Sequence, residues 1–366
     1  MSSYSSSAEW FATLLDRDDV CLLSVSPAAR QRFTIRDCIA RGAVRCLNFM
    51  AEHWGCAPED WPRVVAGAFG LPHQSFASGC AAAAAAGHLP MLKLLREREC
   101  EWDEDTCTRA AANGHLDCLQ FALDMGCPCD IEASMVAAAE SRCRDVDCLR
   151  LLLDRFPDGC TVAAQPSIAA AAAAVGRLTC LQLLHARGWA WDGTACAAAA
   201  LGGFPCCLDL LLSNNCPCDE LAAEHAAMAG AISCLVLAVE RGAPIGLGAA
   251  EAAARNGNDD CLQYLLFRMS EEMGRRCSGP CAIAAAEGGS VECLALLLKH
   301  AGGAADCWNW ELMERRASPR SDAKAWIAAA RAAAAAEPKT AGGMIYEGSD
   351  SEPEVVVVMN ENDCCC

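Results

Sequence analysis

One stretch decides the fold: Gly114-His115-Leu116-Asp117-Cys118-Leu119-Gln120-Phe121-Ala122-Leu123-Asp124-Met125-Gly126-Cys127-Pro128. Its apolar residues return at the spacing of an amphipathic helix. A glycine stands before this helix, and a glycine and a proline stand after it. Glycine can take the left-handed backbone conformation that ends a helix, and proline cannot continue one. The stretch therefore predicts a short helix that is bounded on both sides.

The same pattern recurs along most of the chain, most often with a period of 27 residues. The central leucine, Leu119, has eight counterparts, and the nine positions are Leu47, Leu92, Leu119, Leu149, Leu181, Leu208, Leu235, Leu262 and Leu294. In eight copies cysteine precedes that leucine: Cys46, Cys118, Cys148, Cys180, Cys207, Cys234, Cys261 and Cys293. In eight copies glycine stands five residues before it: Gly42, Gly87, Gly114, Gly176, Gly203, Gly230, Gly257 and Gly289. Nine copies at this density indicate a repeat protein.

Each copy predicts a pair of helices. An alanine-rich segment precedes the glycine, and alanine is the strongest helix former. The second helix follows the glycine and ends at a sequence such as Gly-Cys-Pro. Neither helix can bury its apolar face alone, so the pairs must stack on one another. In this environment the cysteines are expected to act as small buried hydrophobes.

The stretch that ends at Pro128 resembles the second helix of an ankyrin repeat, G-H-x-x-V-V-x-L-L-L-x-x-G-A-x. The resemblance covers residues 33–305, although the T-P-L-H opening of that family is missing. It implies an ankyrin-like solenoid. The usual ankyrin repeat has 33 residues, and the six that are lost here fall where it carries a β-hairpin. We therefore expect an all-α fold of stacked helix pairs with short turns and few or no β-hairpins. The longer copies, which precede Leu149, Leu181 and Leu294, are expected to keep longer fingers.

The remaining segments predict three further parts of the chain. Residues 1–32 form an N-terminal helical extension, or an F-box-like segment, because Leu15–Val25 resembles the second half of an F-box. Residues 306–337 are predicted capping helices, and residues 338–366 a disordered acidic tail. Four valines in that tail follow acidic residues and resemble a SUMO-interacting motif. A ubiquitin-ligase adaptor and SUMO are thus candidate partners beside a generic protein partner.

The formal net charge of −18 limits the classes of partner. Nucleic-acid binding requires a basic stripe, and no Lys/Arg cluster longer than a pair occurs. The acidic surface disfavours anionic membranes and favours basic partners. No apolar run approaches the length of a membrane span, and the N-terminus lacks the features of a signal peptide. With 28 cysteines and no such signal, we expect a reducing compartment, cytoplasmic or nuclear. We also expect a monomer.

No motif predicts catalysis, a cofactor or a metal. The pairs in Cys127-Pro128-Cys129 and Cys216-Pro217-Cys218 lie three repeats apart, and neither has the second pair that a zinc site requires. His88 and His115 occupy the repeat's Gly-His position, where they are expected to hold the inter-helix turn. The chain is therefore predicted to be non-catalytic, a scaffold for protein–protein interaction.

The turns between repeats combine tryptophan with carboxylates. This combination suits a basic, partly apolar peptide, since tryptophan is a frequent hot-spot residue. The candidate partner-binding residues are Trp102, Asp103, Glu104, Asp130, Glu132, Trp189, Trp191, Asp192, Asp219 and Glu220. A structural interpretation competes with this one: each tryptophan packs on the next repeat, and aspartates such as Asp105 and Asp192 cap the following helix.

Overall fold

The computed structural model describes residues 35–53, 79–141, 146–157, 165–269, 271–301, 308–319 and 322–336. All regular secondary structure in these ranges is helical, with no strand, which confirms the all-α prediction and the loss of the hairpin there. The chain forms two compact units, residues 1–168 and 169–366. The F-box-like segment and the acidic tail lie outside the described residues.

Unit 1 is a stack of short helix pairs. Its helices are α1 (Ile35–Arg41), α2 (Val44–His53), α3 (Gly79–Ala85), α4 (Leu89–Glu97), α5 (Glu104–Ala112), α6 (Leu116–Asp124), α7 (Ile131–Glu140) and α8 (Asp147–Arg155), and α9 (Gln165–Ala174) contains the unit boundary. Helices α3, α5 and α7 pack on one another as one layer, and α4, α6 and α8 as a second. The first layer is built from alanine, for example Ala110 and Ala111, both fully buried.

Unit 2 repeats this arrangement. Its helices are α10 (Leu178–Ala186), α11 (Gly193–Gly202), α12 (Pro205–Ser213), α13 (Glu220–Ala229), α14 (Ile232–Glu240), α15 (Leu247–Asn256), α16 (Asp259–Arg268), α17 (Glu271–Gly288), α18 (Val291–His300), α19 (Trp310–Arg316) and α20 (Ala323–Ala336). Helices α11, α13, α15 and α17 form the alanine-rich layer, and α10, α12, α14, α16 and α18 form the leucine-rich layer. Helix α19 then packs on α17, and α20 on α19.

The repeated glycine ends the first helix in the left-handed conformation, as predicted. All eight members of the column have φ between +67° and +81°. The structure adds a second reason for glycine. A Cβ at Gly87 would lie 2.5 Å from the imidazole of His115, in the next repeat, and Gly42 faces His88 in the same way. His115 Nε2 is 3.1 Å from the carbonyl of Ala85. Each histidine thus ties the end of one first helix to the following repeat.

The repeated cysteine is buried in all eight copies, as predicted for a small hydrophobe. Burial raises the pKa of the Cys234 and Cys261 thiols to about 12, so both stay protonated at neutral pH. Among the described cysteines, all except Cys206 form no disulfide. Cys206 is disulfide-bonded.

The longer copy before Leu294 was expected to keep a projecting finger, and this expectation is wrong. Its extra residues lengthen the first helix instead: α17 has 18 residues, whereas α15 and α13 have 10. Pro280 lies inside α17, on its exposed side. The corresponding segments before Leu149 and Leu181 contain residues 142–145 and 158–164, which lie outside the described residues.

A buried polar contact joins Trp308, which precedes α19, to helix α17. Trp308 Nε1 donates to Ser278 Oγ at 2.9 Å, and both residues are buried. Replacing Ser278 with alanine is expected to lower the free energy of unfolding by about 1–3 kcal/mol, because the indole N–H loses its acceptor without regaining water. Urea unfolding followed by circular dichroism measures the loss.

The control for Ser278→Ala is the double variant Ser278→Ala, Trp308→Phe. Removing both partners takes away the unsatisfied donor, so the phenylalanine is expected to recover part of the loss. A double variant whose stability equals the sum of the two single losses would contradict this account of the contact.

Candidate functional site

The turn before α5 carries the first candidate carboxylates of unit 1. Asp103 stands at the N-cap, where Thr106 Oγ1 donates to Asp103 Oδ1 at 3.2 Å and accepts from the Asp103 backbone N–H at 3.5 Å. Glu104 is the first helical residue and is exposed, a position where the helix dipole favours negative charge. Asp103 is exposed too, so the capped carboxylate also faces solvent.

The equivalent turn before α7 repeats this design. Asp130 is the N-cap of α7, and its Oδ1 accepts from the Ala133 backbone N–H at 3.0 Å. Asp130 and Glu132 are both exposed. Asp103 and Asp130 thus occupy the same place in successive repeats, 27 residues apart. Because α5 packs directly on α7, unit 1 presents these two acidic turns side by side.

Unit 2 has a second pair of acidic turns. Asp192 Oδ1 accepts from the Thr194 backbone N–H at 2.9 Å, and Asp219 Oδ1 from that of Leu221 at 3.2 Å, so these residues cap α11 and α13. The predicted capping role is therefore correct for Asp192. It is wrong for Asp105, which lies inside α5 and pairs with Arg109 at 3.5 Å, because Asp103 already holds the cap position.

In unit 2, glycines without side chains leave room for the carboxylates of the neighbouring repeat. A Cβ at Gly193 would lie 3.3 Å from Asp219 Oδ2, and one at Gly246 would lie 3.0 Å from Glu220 Oε2. One turn further along α13, Glu224 Oε2 would lie 2.9 Å from a Cβ at Gly248. Each carboxylate therefore reaches over the backbone of a neighbouring repeat. Glu224 was not among the predicted site residues, and only its place in the first helix of a repeat could have signalled it.

Trp102 packs within unit 1. The guanidinium carbon of Arg96 lies 4.1 Å from the Trp102 ring centroid, and the Phe121 ring meets Trp102 edge-on at 6.3 Å. Lys93 Nζ lies 5.7 Å from the Phe121 ring centroid. Cation–π contacts of this kind hold both aromatic rings in place. Trp102 is half-buried, so one part of the indole packs on the next repeat and another part reaches solvent beside Asp103.

The two tryptophans of unit 2 lie in the turn that precedes α11. Trp191 stacks on His185, with ring centroids 5.0 Å apart and an interplanar angle of 4°. Trp189 and Trp191 are both half-buried, as is the neighbouring Asp192. As with Trp102, part of each indole is buried and another part stays accessible to solvent, close in sequence to a carboxylate.

The described residues contain no group of three or more His, Cys, Asp or Glu that could hold a metal ion. No helix in the described ranges is both long enough and apolar enough to cross a membrane. The ten candidate residues place solvent-accessible carboxylates at helix N-termini, next to partly exposed indoles. Such groups bind cationic and aromatic side chains through ion pairs, hydrogen bonds and apolar contact.

No protein-family model and no curated protein sequence matches this chain. Among solved structures it is similar to the crystal structure of the human ASB11 ankyrin repeat domain, at 20% sequence identity and a TM-score of 0.34, over 61% of this chain and 96% of that one. The chain has an ankyrin-like helical-repeat fold. This assignment rests on its helix pairs, on their stacking in two layers and on the left-handed glycine that follows eight of the described first helices.

Proposed function

We propose that the chain is a non-catalytic scaffold whose acidic turns bind a basic segment of a partner protein. One observation supports this most strongly. Solvent-accessible carboxylates recur at the same place in successive repeats, at Asp103 and Asp130 in unit 1 and at Asp192 and Asp219 in unit 2. The net charge of −18 adds a long-range attraction for basic partners.

The stacking distance suggests the spacing of basic residues in the partner. Packed helices lie about 8–10 Å apart, so equivalent carboxylates in neighbouring repeats are separated by roughly that distance. Three residues of a segment in the polyproline II conformation span about 9 Å and bring the side chain back to the same face, whereas in a β-strand side chains i and i+3 point to opposite faces. A partner segment with lysine or arginine at every third position would therefore meet Asp103 and Asp130 in turn. Its intervening apolar residues would face Trp102.

Two more specific functions stay predictions. A substrate-recognition role in a ubiquitin ligase depends on the F-box-like segment, and SUMO binding depends on the acidic tail, and both segments lie outside the described residues. The monomeric state and the cytoplasmic or nuclear location likewise stay predictions. The basic-segment proposal depends on none of them.

Neutralising the acidic turns is expected to weaken binding of a basic peptide. The variant Asp103→Asn, Glu104→Gln, Asp130→Asn, Glu132→Gln removes four charges from unit 1 but keeps the caps, since asparagine caps helices as well as aspartate does. Each exposed ion pair contributes about 0.2–1 kcal/mol, so the loss of four, about 0.8–4 kcal/mol in all, is expected to weaken binding roughly 4- to 900-fold. Fluorescence anisotropy with an extended peptide of repeating Lys-x-x motif measures the affinity at two salt concentrations.

The matched control removes charge from the leucine-rich layer instead. Asp117 lies in α6 and Glu97 in α4, and both are exposed. Asp117→Asn with Glu97→Gln is expected to weaken peptide binding less than twofold. If a pair of turn substitutions, Asp103→Asn with Asp130→Asn, weakens binding no more than this control pair, the attraction is nonspecific and the proposed site is wrong.

A further inference from the structure

The first helices of unit 2 expose large apolar side chains. Leu201 lies near the end of α11, Leu221 and Met228 lie on α13, and Leu247 is the first residue of α15. Each is 37% to 45% exposed, whereas the alanines beside them on the same helices are mostly buried. Apolar residues that are exposed singly are ordinary on a protein surface, but a contiguous group marks an interaction site. The relative positions of these four residues therefore decide their meaning.

Direct contacts fix how the three helices lie together. Helix α13 packs against both α11 and α15. His225 Nδ1 of α13 lies 3.3 Å from the carbonyl oxygen of Ala197 in α11. Toward α15, Glu224 Oε2 lies 2.9 Å from the position of a Cβ at Gly248. The middle of α13 is thus held directly against both neighbouring first helices.

The register of the repeats then places the exposed residues on one surface. Leu201 and Met228 are 27 residues apart and hold the same position in successive repeats, so they lie side by side, about 8–10 Å apart. Leu221 and Leu247 lie in the first turns of the adjacent helices α13 and α15. Within α13, Leu221, Glu224 and Met228 are spaced i, i+3, i+7 and share one face. These five residues, called the α13 face below, place an apolar pair on each side of a carboxylate.

The carboxylates of this surface have no cation of their own. Glu224 and Glu251 hold the same position in successive repeats, and both are half-buried. Neither forms an ion pair with a described residue. Arg255, one turn after Glu251 on α15, pairs with Glu287 of α17 instead, at 3.5 Å. The surface therefore carries negative charge that a cation from another molecule can neutralise.

The repeat does not need these side chains in order to fold. In unit 1, α5 has the same place in its repeat as α13 and packs against first helices on both sides. Its three residues that stand nine, six and two positions before the repeat's glycine are Asp105, Thr108 and Ala112. In α13 those positions carry the leucine, glutamate and methionine of the α13 face. Large apolar residues are thus particular to unit 2, which indicates a role other than stability.

We propose that the α13 face binds an amphipathic helix of a partner protein, with two large apolar side chains two turns apart and a lysine or arginine between them. Leu221 and Met228 are seven residues apart, about 10 Å along α13, and a partner helix with apolar residues at i and i+7 matches that separation. The cation of the partner then lies over Glu224. This inference does not depend on the binding of a basic segment by the acidic turns.

A helix fits this surface better than a strand does. The backbone groups of α11, α13 and α15 are used within those helices, so the surface has no free edge to which a strand could add. A helix satisfies its own backbone groups. Ala198, Gly202 and Gly248 border the α13 face and are at least partly exposed, and such small residues let a partner helix approach closely. Close approach removes water from Glu224, which is costly unless the partner supplies a positive charge there.

The test uses a fluorescent, alanine-based helical peptide with leucines at i and i+7 and a lysine at i+3, titrated with the full-length protein and followed by anisotropy. Leu221→Thr with Met228→Ala is expected to weaken binding at least about tenfold, because each removes apolar area from the contact. Thr194 of α11 and Ala112 of α5 hold these positions naturally, so the helix tolerates both substitutions.

The matched control removes an equally accessible apolar side chain from the other layer. Phe267 of α16 is 59% exposed, and Phe267→Ala is expected to change the affinity less than twofold. Circular dichroism of all variants checks that they are folded. A peptide that does not bind the full-length protein, or one whose binding the control weakens as much as the α13 variant does, would overturn the proposal.

A double-mutant cycle tests the ion pair. Glu224→Gln and replacement of the peptide lysine by methionine are each expected to weaken binding about threefold to fivefold, and the two together no more than either alone. Strictly additive losses would show that the lysine does not meet Glu224. Most of the affinity is expected to persist at about 0.5 M salt, since screening affects charges and not apolar contact. Binding that is lost at this salt concentration, or with the four-residue variant of the unit 1 turns, would place the peptide on the acidic turns and overturn the assignment to the α13 face.

Discussion

Gly288→Ala is expected to lower the free energy of unfolding of unit 2 by about 3 kcal/mol or more, because the new methyl group would overlap a neighbouring backbone. A Cβ at this position would lie 1.9 Å from the carbonyl oxygen of Arg255 and 2.8 Å from its carbonyl carbon. Both atoms belong to the last turn of α15, so they can move only if α15 shifts against α17. In a helix without such a neighbour, the same substitution would gain about 0.5–1 kcal/mol.

Urea unfolding of the full chain, with hydrogen exchange to locate the loss, measures the effect of Gly288→Ala. The matched control is Gly242→Ala in the same unit. Gly242 has φ of +94° and no atom within 4 Å of the added methyl group, so only backbone strain of about 1–2 kcal/mol is expected. Exchange should accelerate in α15 and α17 for Gly288→Ala. If Gly288→Ala is as stable as the natural protein, the close contact of the two helices is wrong.

The repeat could be predicted from the sequence because glycines with a left-handed backbone conformation recur once per repeat in most copies. The glycine that stands five residues before the central leucine in eight copies takes a positive φ, and few other residues would serve there. The alanine-rich segments predict helices packed at short distance, and their burial in both units agrees with this. The starts of α11 and α13 could also be predicted, because their N-cap residues, Asp192 and Asp219, stand shortly before an alanine-rich segment.

What the sequence did not reveal are contacts between residues of different repeats. Nothing local to Cys127 indicates that its thiol donates to the backbone carbonyl of Asp103, because the contact depends on how the turn folds back over the start of α5. The same holds for Trp102, whose ring is held by Arg96 and by Phe121 in the following helix pair. The long copy before Leu294 was misread for a different reason: extra residues can extend a helix as readily as a turn, and length alone does not distinguish the two.

Gly87→Ala is expected to cost unit 1 about 2–4 kcal/mol: about 1–2 kcal/mol for placing alanine in the left-handed conformation and about 1–2 kcal/mol for displacing His115 from its contact. The added methyl group would lie 2.5 Å from the His115 ring, which is 3.1 Å from the carbonyl of Ala85 at Nε2. Gly126 separates the two contributions. Its φ of +76° nearly equals the +72° of Gly87, but no atom lies within 4 Å of an added Cβ, so Gly126→Ala is expected to show the strain alone.

A double-mutant cycle attributes the remaining loss to the histidine. His115→Ala alone removes the hydrogen bond and leaves a cavity, with an expected loss of about 1–2 kcal/mol. Once the ring is gone, the methyl group at position 87 meets no obstacle, so adding Gly87→Ala should cost no more than Gly126→Ala does. The coupling between the two positions is then about 1 kcal/mol or more. Strict additivity in urea unfolding would show that His115 does not lie over Gly87, and that the column of glycines reflects backbone conformation only.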